Sequence, residues 1–172
     1  ENIANNISPL TSELTKLDLS AKKGNVSDDG LRILTKSLDS QLSNLKEFSL
    51  DLGCTKVSNE GLKLFAQVML PRISSLETFE LFLDEQKKIT NKILEPIAQS
   101  LHPLTNLKKI CLELGGTEIS GKTLVALEQS TLKNNPTLET FELDVAETKI
   151  QDEDINDFFM KIEKDLAFQN LQ

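Results

Sequence analysis

The side chains with the most chemistry to offer are carboxylates set at alternate positions in short segments. Glu47 and Asp51 stand in one such segment, Glu142 and Asp144 in another, and Asp18, Glu80 and Glu113 occupy matching places elsewhere. Paired carboxylates serve general acid–base work only when burial or a neighbour moves one pKa toward neutrality. On a hydrated face they instead attract cations or a basic protein surface. The other reactive groups are sparse. His102 is the sole histidine, so a histidine triad or a histidine-rich metal site cannot assemble. Cys54 and Cys111 have no metal-type spacing, and Gly115-Gly116-Thr117 lacks the Lys-Ser/Thr ending of a phosphate loop. No Asp-x-Asp-x-Asp-Gly calcium loop occurs. The expectation is a chain with no catalytic centre, no metal and no cofactor.

Composition is that of an ordinary soluble globular chain and narrows the partner classes. The 172 residues carry 19 Lys+Arg against 27 Asp+Glu, a net charge of −8. Such a balance argues against nucleic acid, whose backbone requires clustered cations. No apolar run approaches the ~20 residues of a membrane span. Two cysteines cannot build a disulfide framework, so both are read as free thiols in a reducing, cytoplasmic setting. Sequons at Asn6 and Asn25 are what chance supplies in a chain rich in Asn, Ser and Thr, and they leave open whether either is glycosylated.

The carboxylates owe their placement to a repeat. Leu14, Leu45, Leu76, Leu107 and Leu138 recur every 31 residues. Three residues later stand Leu17, Phe48, Phe79, Ile110 and Phe141; two later, Leu19, Leu50, Leu81, Leu112 and Leu143; two later again, Ala21, Leu52, Leu83, Leu114 and Val145. Between these columns the residues are polar, the period of a half-buried strand. Val26, Val57, Ile89, Ile119 and Ile150 follow, and after the first four stand Ser27, Ser58, Thr90 and Ser120, each a candidate helix N-cap. Apolar residues then recur at helical spacing, as in Leu31, Leu34, Leu38 and Leu62, Phe65, Met69. Pro71, Pro103 and Pro136 fall where helices end, whereas Pro96 predicts a late start for the third helix, downstream of one inserted residue. One strand and one helix per unit cannot bury their apolar faces alone, but stacked copies can. Strands stack ~4.8 Å apart and helices ~8–10 Å, so the stack should curve with its strands inside.

The strings LTKLDLS, LKEFSLDL, LETFELFL, LKKICLEL and LETFELDV, each followed by Ile or Val and a capped helix, resemble leucine-rich repeats. The unit length and helical back are similar to the ribonuclease-inhibitor-like subclass, and the longer strand resembles arrays of single-celled eukaryotes. The resemblance implies an α/β right-handed horseshoe with a parallel concave sheet and convex helices. Repeats are expected at 14–44, 45–75, 76–106, 107–137 and 138–168, with a helical half-repeat at 1–13 and the start of a further repeat at 169–172. The family's loop Asn/Cys is replaced by Thr55, Thr117 and Thr148, by Gly24 in the first copy, and by no evident residue near Gln86 in the third.

Several expectations follow. The alternate strand positions line the concave face: Lys16, Asp18, Ser20; Glu47, Ser49, Asp51; Thr78, Glu80, Phe82; Lys109, Cys111, Glu113; Thr140, Glu142, Asp144. Like carboxylates ~5 Å apart repel there, with Glu113 beside Asp144 as the sharpest pair. The candidate protein-binding residues are Asp18, Glu47, Asp51, Glu80, Phe82, Glu113, Glu142 and Asp144, and the expected partner is a protein with a basic surface. Phe82 reads either as an aromatic packed on its neighbours or as a contact anchor. Phe48, Phe79 and Phe141 read as a core spine. A solvated polar face without a ligand remains the competing reading. The chain opens at Glu1 and neither end carries a polar cap, which predicts a segment of a longer array or ends that stack on another chain. End-to-end self-assembly into a filament or cytoskeletal structure is the alternative function.

Overall fold

The computed structural model describes residues 14–38, 42–130 and 135–169, the side chains of 130 and 163–169 excepted. The expected half-repeat at 1–13, with Asn6, lies outside the described residues, as do 170–172. Five strands form one sheet in chain order: β1 (Lys16–Ser20), β2 (Glu47–Asp51), β3 (Thr78–Phe82), β4 (Lys109–Glu113) and β5 (Thr140–Asp144). All four pairings are parallel, and Leu17↔Phe48↔Phe79↔Ile110↔Phe141 lie in one row. Parallel neighbours need a crossover, here supplied by α1 (Asp28–Ser37), α2 (Asn59–Met69), α3 (Leu94–Leu101) and α4 (Lys122–Ser130), with α5 (Asp152–Gln169) following β5. Consecutive helices pack on one another.

The apolar columns become the core. Leu45, Leu76 and Leu107 are 0% exposed, as are Phe79, Leu81, Leu83, Ile110, Leu112 and Leu114. At the ends the same columns are only partly buried, at Leu14 and Leu19 and again at Leu138, Phe141, Leu143 and Val145. The phenylalanine spine is shorter than expected. Phe48 stacks on Phe79 (6.3 Å between centroids), but Ile110 intervenes and Phe141 turns to Phe158 of α5 (5.8 Å).

Each loop repeats one backbone device. Lys23, Cys54, Glu85, Gly116 and Glu147 all adopt positive φ, between 56° and 68°. Non-glycine residues resist that conformation. They hold it because the first four donate their N–H groups to the next loop, at the oxygens of Gly53, Asp84, Gly115 and Ala146 (2.8–2.9 Å). The Thr117 and Thr148 hydroxyls donate to the Leu114 and Val145 carbonyls, 2.7 Å away in each case. The third loop, as expected, lacks that local bond, and Gln86 at the matching place bonds elsewhere. Gln86 is buried, and its Nε2 donates to the Leu52 carbonyl at 2.7 Å. The extra residue in this loop is accommodated by a longer side chain that reaches back across the stack.

The helix starts are linked in series. Asp28 accepts from the Ser58 N–H and hydroxyl (2.7 and 2.6 Å). Asn59 bonds the N–H and hydroxyl of Thr90, and Asn91 does the same at Ser120 while also accepting from Thr123. After Ser27, Ser58 and Thr90, the next residue therefore fastens the following cap. Gly61 is needed beside this ladder, since a Cβ there would collide with the Asp28 carboxylate. Ser58 and Thr90 cap as expected, accepting from Glu60 and Lys92. Ser27 makes no side-chain cap bond, and the Ser120 hydroxyl accepts from Asn91. The third helix starts late: Asn91–Ile93 form a 3-10 turn, and Pro96 falls in the first turn of α3, where its missing N–H leaves no bond unmade. α5 runs on through Gln169, so the helix extends one residue into the segment expected to open a further repeat.

Candidate functional site

The side of the sheet turned from the apolar core carries three rows set by strand register. Lys16, Glu47, Thr78, Lys109 and Thr140 form the first; Asp18, Ser49, Glu80, Cys111 and Glu142 the second; Ser20, Asp51, Phe82, Glu113 and Asp144 the third. All eight expected site residues therefore share one face. They form two neighbourhoods, because the two lysines of the first row neutralise part of the acid.

Lys16 Nζ lies 2.8 Å from Glu47 Oε2. Lys109 sits between Glu80 (3.1 Å) and Glu142 (3.3 Å), joining three strands. Both ammonium groups are held above the usual lysine value, first by hydrogen bonds to these carboxylates. Such exposed pairs orient side chains more than they stabilise the fold. Cys111, between Glu80 and Glu142, is 7% exposed. Burial, and then a hydrogen bond to Glu142, pushes its thiol up to about 11. That is the opposite of nucleophile activation.

The second neighbourhood lies where the strands end. Glu113 is held above the ordinary carboxylate value, first by burial, then by Asp84, with Lys22 opposing and Asp144 and Asp51 adding smaller pushes. The sharpest carboxylate neighbour of Glu113 is thus Asp84, a loop residue, and Asp144 comes second. Asp51 and Asp144 each spend one oxygen on a local turn, accepting from Gly53 N–H (3.0 Å) and Ala146 N–H (2.8 Å). Ser20 Oγ donates to Asp51. Phe82, half-buried, stands in register between Asp51 and Glu113. An apolar ring flanked by carboxylates suits the stem and head of a lysine or arginine, which also gains from a ring face.

Two residues of this neighbourhood escaped sequence reasoning. Lys22 Nζ reaches Asp84 at 3.1 Å, 62 positions along the chain. Gly53 lies at the matching place in the intervening loop, where a Cβ would collide with the Asp84 carboxylate. The signal was present in the loop column Lys22, Gly53, Asp84, Gly115, Ala146, where glycines flank the one acid. Among the described residues, no group of three or more His, Cys, Asp and Glu is arranged to hold a metal ion. Among them too, no helix is long and apolar enough to cross a membrane. A hollow of ≈ 480 Å³ on the helix side is lined by Asn59, Glu60, Lys63, Gln67, Lys92 and Glu95 with their neighbours.

No family model matches this chain, and no curated protein matches it. Solved structures do. A structure of leiomodin-1 actin-binding site 2 superposes with a TM-score of 0.66 at 17% identity, covering 98% of this chain and 87% of the other. The tropomodulin C-terminal domain of Caenorhabditis elegans gives 0.65 at 14% identity, covering 99% and 95%. Both are leucine-rich-repeat-like α/β domains, and at such identities the likeness establishes the fold alone.

Proposed function

We propose that residues 1–172 are a single leucine-rich-repeat array, a right-handed arc with repeats at 14–44, 45–75, 76–106, 107–137 and 138–168, and that it is a non-enzymatic protein-binding module. Its docking surface is the acidic sheet face, with Asp18, Glu47, Asp51, Glu80, Phe82, Glu113, Glu142 and Asp144 as contacts for a basic protein surface. The observation that carries this reading is the second neighbourhood. Phe82 stands in register between Asp51 and Glu113, and Glu113, raised first by burial, is pushed further by Asp84, Asp144 and Asp51 against the opposing Lys22. A cation from a partner relieves that repulsion on binding. Charge of this kind governs on-rate and specificity more than final affinity. The buried, protonated Cys111 is no activated nucleophile.

Actin is the first partner to test, because one of the superposing structures is an actin-binding site of leiomodin-1. The working setting is then cytoskeletal and cytoplasmic. Binding to actin monomers and filaments is measured for the native chain and for Asp51→Lys/Glu113→Lys/Asp144→Lys. Saturable binding lost on reversal supports the reading; binding that survives reversal removes the sheet face as the docking surface.

End-to-end assembly is the second reading, favoured by the partly buried apolar columns at both ends of the sheet. A stacked copy in the same register brings Asp18 beside Glu142 and Lys16 beside Thr140, so charge alone does not decide against it. Sedimentation across a range of concentrations separates the two.

A further inference from the structure

The lysines divide by location. Those on the sheet side are neutralised from within: Lys16 by Glu47, Lys46 and Lys108 by Glu77, Lys109 by Glu80 and Glu142, and Lys22 by Asp84. Lys56, Lys87, Lys88, Lys92 and Lys122 are exposed and, among the described residues, make no ion pair. They share the flank where the loops leave the sheet and the helices begin. Lys56 and Lys88 precede Val57 and Ile89 in consecutive loops, and Lys92 and Lys122 stand two places after the caps Thr90 and Ser120. Asn91 joins those two helix starts by accepting from the Ser120 N–H at 2.8 Å. The patch lies inside the array, with β1 and α1 before it and β5 and α5 after it.

Helix physics runs against this placement. The positive end of the helix dipole favours acids in a first turn. Two places after Ser27, Ser58 and Gln151, the starts of α1, α2 and α5 carry Asp29, Glu60 and Glu153. At the same place the two helix starts between them carry Lys92 and Lys122. The loop with the extra residue adds Lys87 and Lys88 side by side. A local rule broken at neighbouring helices points to a demand from outside the fold. Carboxylates nearby do not cancel the patch. Glu118 pairs with Lys149 and also feels Lys87, while Glu60 and Glu95 line the same hollow as Lys92 without pairing with it.

Spread distinguishes the possible anions. The five ammonium groups occupy three successive loops, at ~4.8 Å a step. That span suits carboxylates ~7 Å apart along one side of an extended chain, whereas a single phosphate meets only part of it. Lysines also lack the fork with which arginine grips a phosphate. A flat anionic lipid surface would face the exposed Glu60, Glu85 and Glu95 as well, on a chain of net charge −8.

We propose that Lys56, Lys87, Lys88, Lys92 and Lys122 form a docking surface for an acidic segment of a protein partner, laid across the loop flank from the second loop to the fourth. This surface is separate from the acidic sheet face centred on Asp51 and Phe82, and either can fail without the other.

The probe is a fluorescein-labelled peptide, SESESESES, which sets its carboxylates on one side when extended; SQSQSQSQS is the control. Anisotropy with the 172-residue chain should show saturable binding of SESESESES, at least about tenfold tighter than the control and weakening as salt rises. Lys88→Glu/Lys92→Glu should weaken it at least about tenfold. Lys16→Glu/Lys46→Glu, which changes the net charge equally on the sheet side, should alter it less than about twofold. If the flank reversal fails to fold, Lys92→Gln/Lys122→Gln should still weaken SESESESES severalfold. No binding, equal binding of the two peptides, or equal losses at flank and sheet would overturn the proposal. So would flotation of the chain with phosphatidylserine vesicles that Lys88→Glu/Lys92→Glu abolishes, which would make a membrane the ligand. A concentration-dependent dimer broken by the same reversal would overturn it too, since the sheet face of a second copy would then be the occupant.

Discussion

Lys22 and Asp84 meet at 3.1 Å across two loop turns, and they meet because Gly53 stands between them without a side chain. Gly53→Ala should therefore push Asp84 aside and break the pair. The overpacking should cost about 1–2 kcal/mol, read as a lower denaturation midpoint. Once Gly53→Ala is in place, Lys22→Ala should add nothing. A full additional loss from Lys22→Ala would show that the pair persists by another route.

Gln86 stands where the next two copies carry Thr117 and Thr148, but it bonds back to the loop before its own. Its buried amide is a partner of the Leu52 carbonyl. Gln86→Leu keeps most of the volume but removes a buried bond and leaves that carbonyl with the Thr55 N–H alone (3.2 Å), so it should cost about 0.5–1.5 kcal/mol. An unchanged midpoint would mean that water takes over the bond.

Glu113 is held above its ordinary value of 4.5 by burial and by Asp84. A raised carboxyl pKa means that the folded chain keeps its proton longer than the unfolded one. Its contribution to stability is present at low pH and declines as pH rises from about 4.5 through the folded value. Glu113→Gln should stabilise the chain at pH 7 by less than about 1 kcal/mol. The gain should vanish near pH 3, where both states carry the proton. A pH-independent gain would trace to packing. Glu77 and Glu118 run the other way: lysines lower both, so their contributions fade as pH drops below 4.5.

Cys111 should behave as an inert thiol. With its value raised from 9.0 to about 11, its share of stability is complete below pH 9 and is lost as pH climbs toward 11. Iodoacetamide at pH 8 should label it at least about tenfold more slowly in the folded chain than in denaturant. Equal rates would contradict the burial that raises it.

How much of this was legible in the sequence depends on distance along the chain. The columns through Leu45, Leu76 and Leu107 recur every 31 residues, so they predict both the strands and their register. The carboxylates between them then fall on one face by the alternation of a strand. What periodicity could not show were contacts made by individual side chains across loops. Gln86 looked like a missing loop residue because its reach, not its type, does the work. Ser27 matched the capping pattern of Ser58 and makes no such bond. Asp84 sits in a loop, so an argument built on strands passed over it. Phe141 obeys the column and meets Phe158 of its own repeat as Phe48 meets Phe65, and it has no aromatic partner on the neighbouring strand because Ile110 stands there.

The docking claim rests most directly on a comparison of two charge reversals against one partner. Actin binding is titrated with the native chain, with Asp51→Lys/Glu113→Lys/Asp144→Lys on the sheet, and with Glu60→Lys/Glu95→Lys on the helix side. The account predicts at least about tenfold weaker binding for the sheet variant and a change under about twofold for the helix variant. Weakening confined to the helix variant, or equal binding by all three, would contradict it.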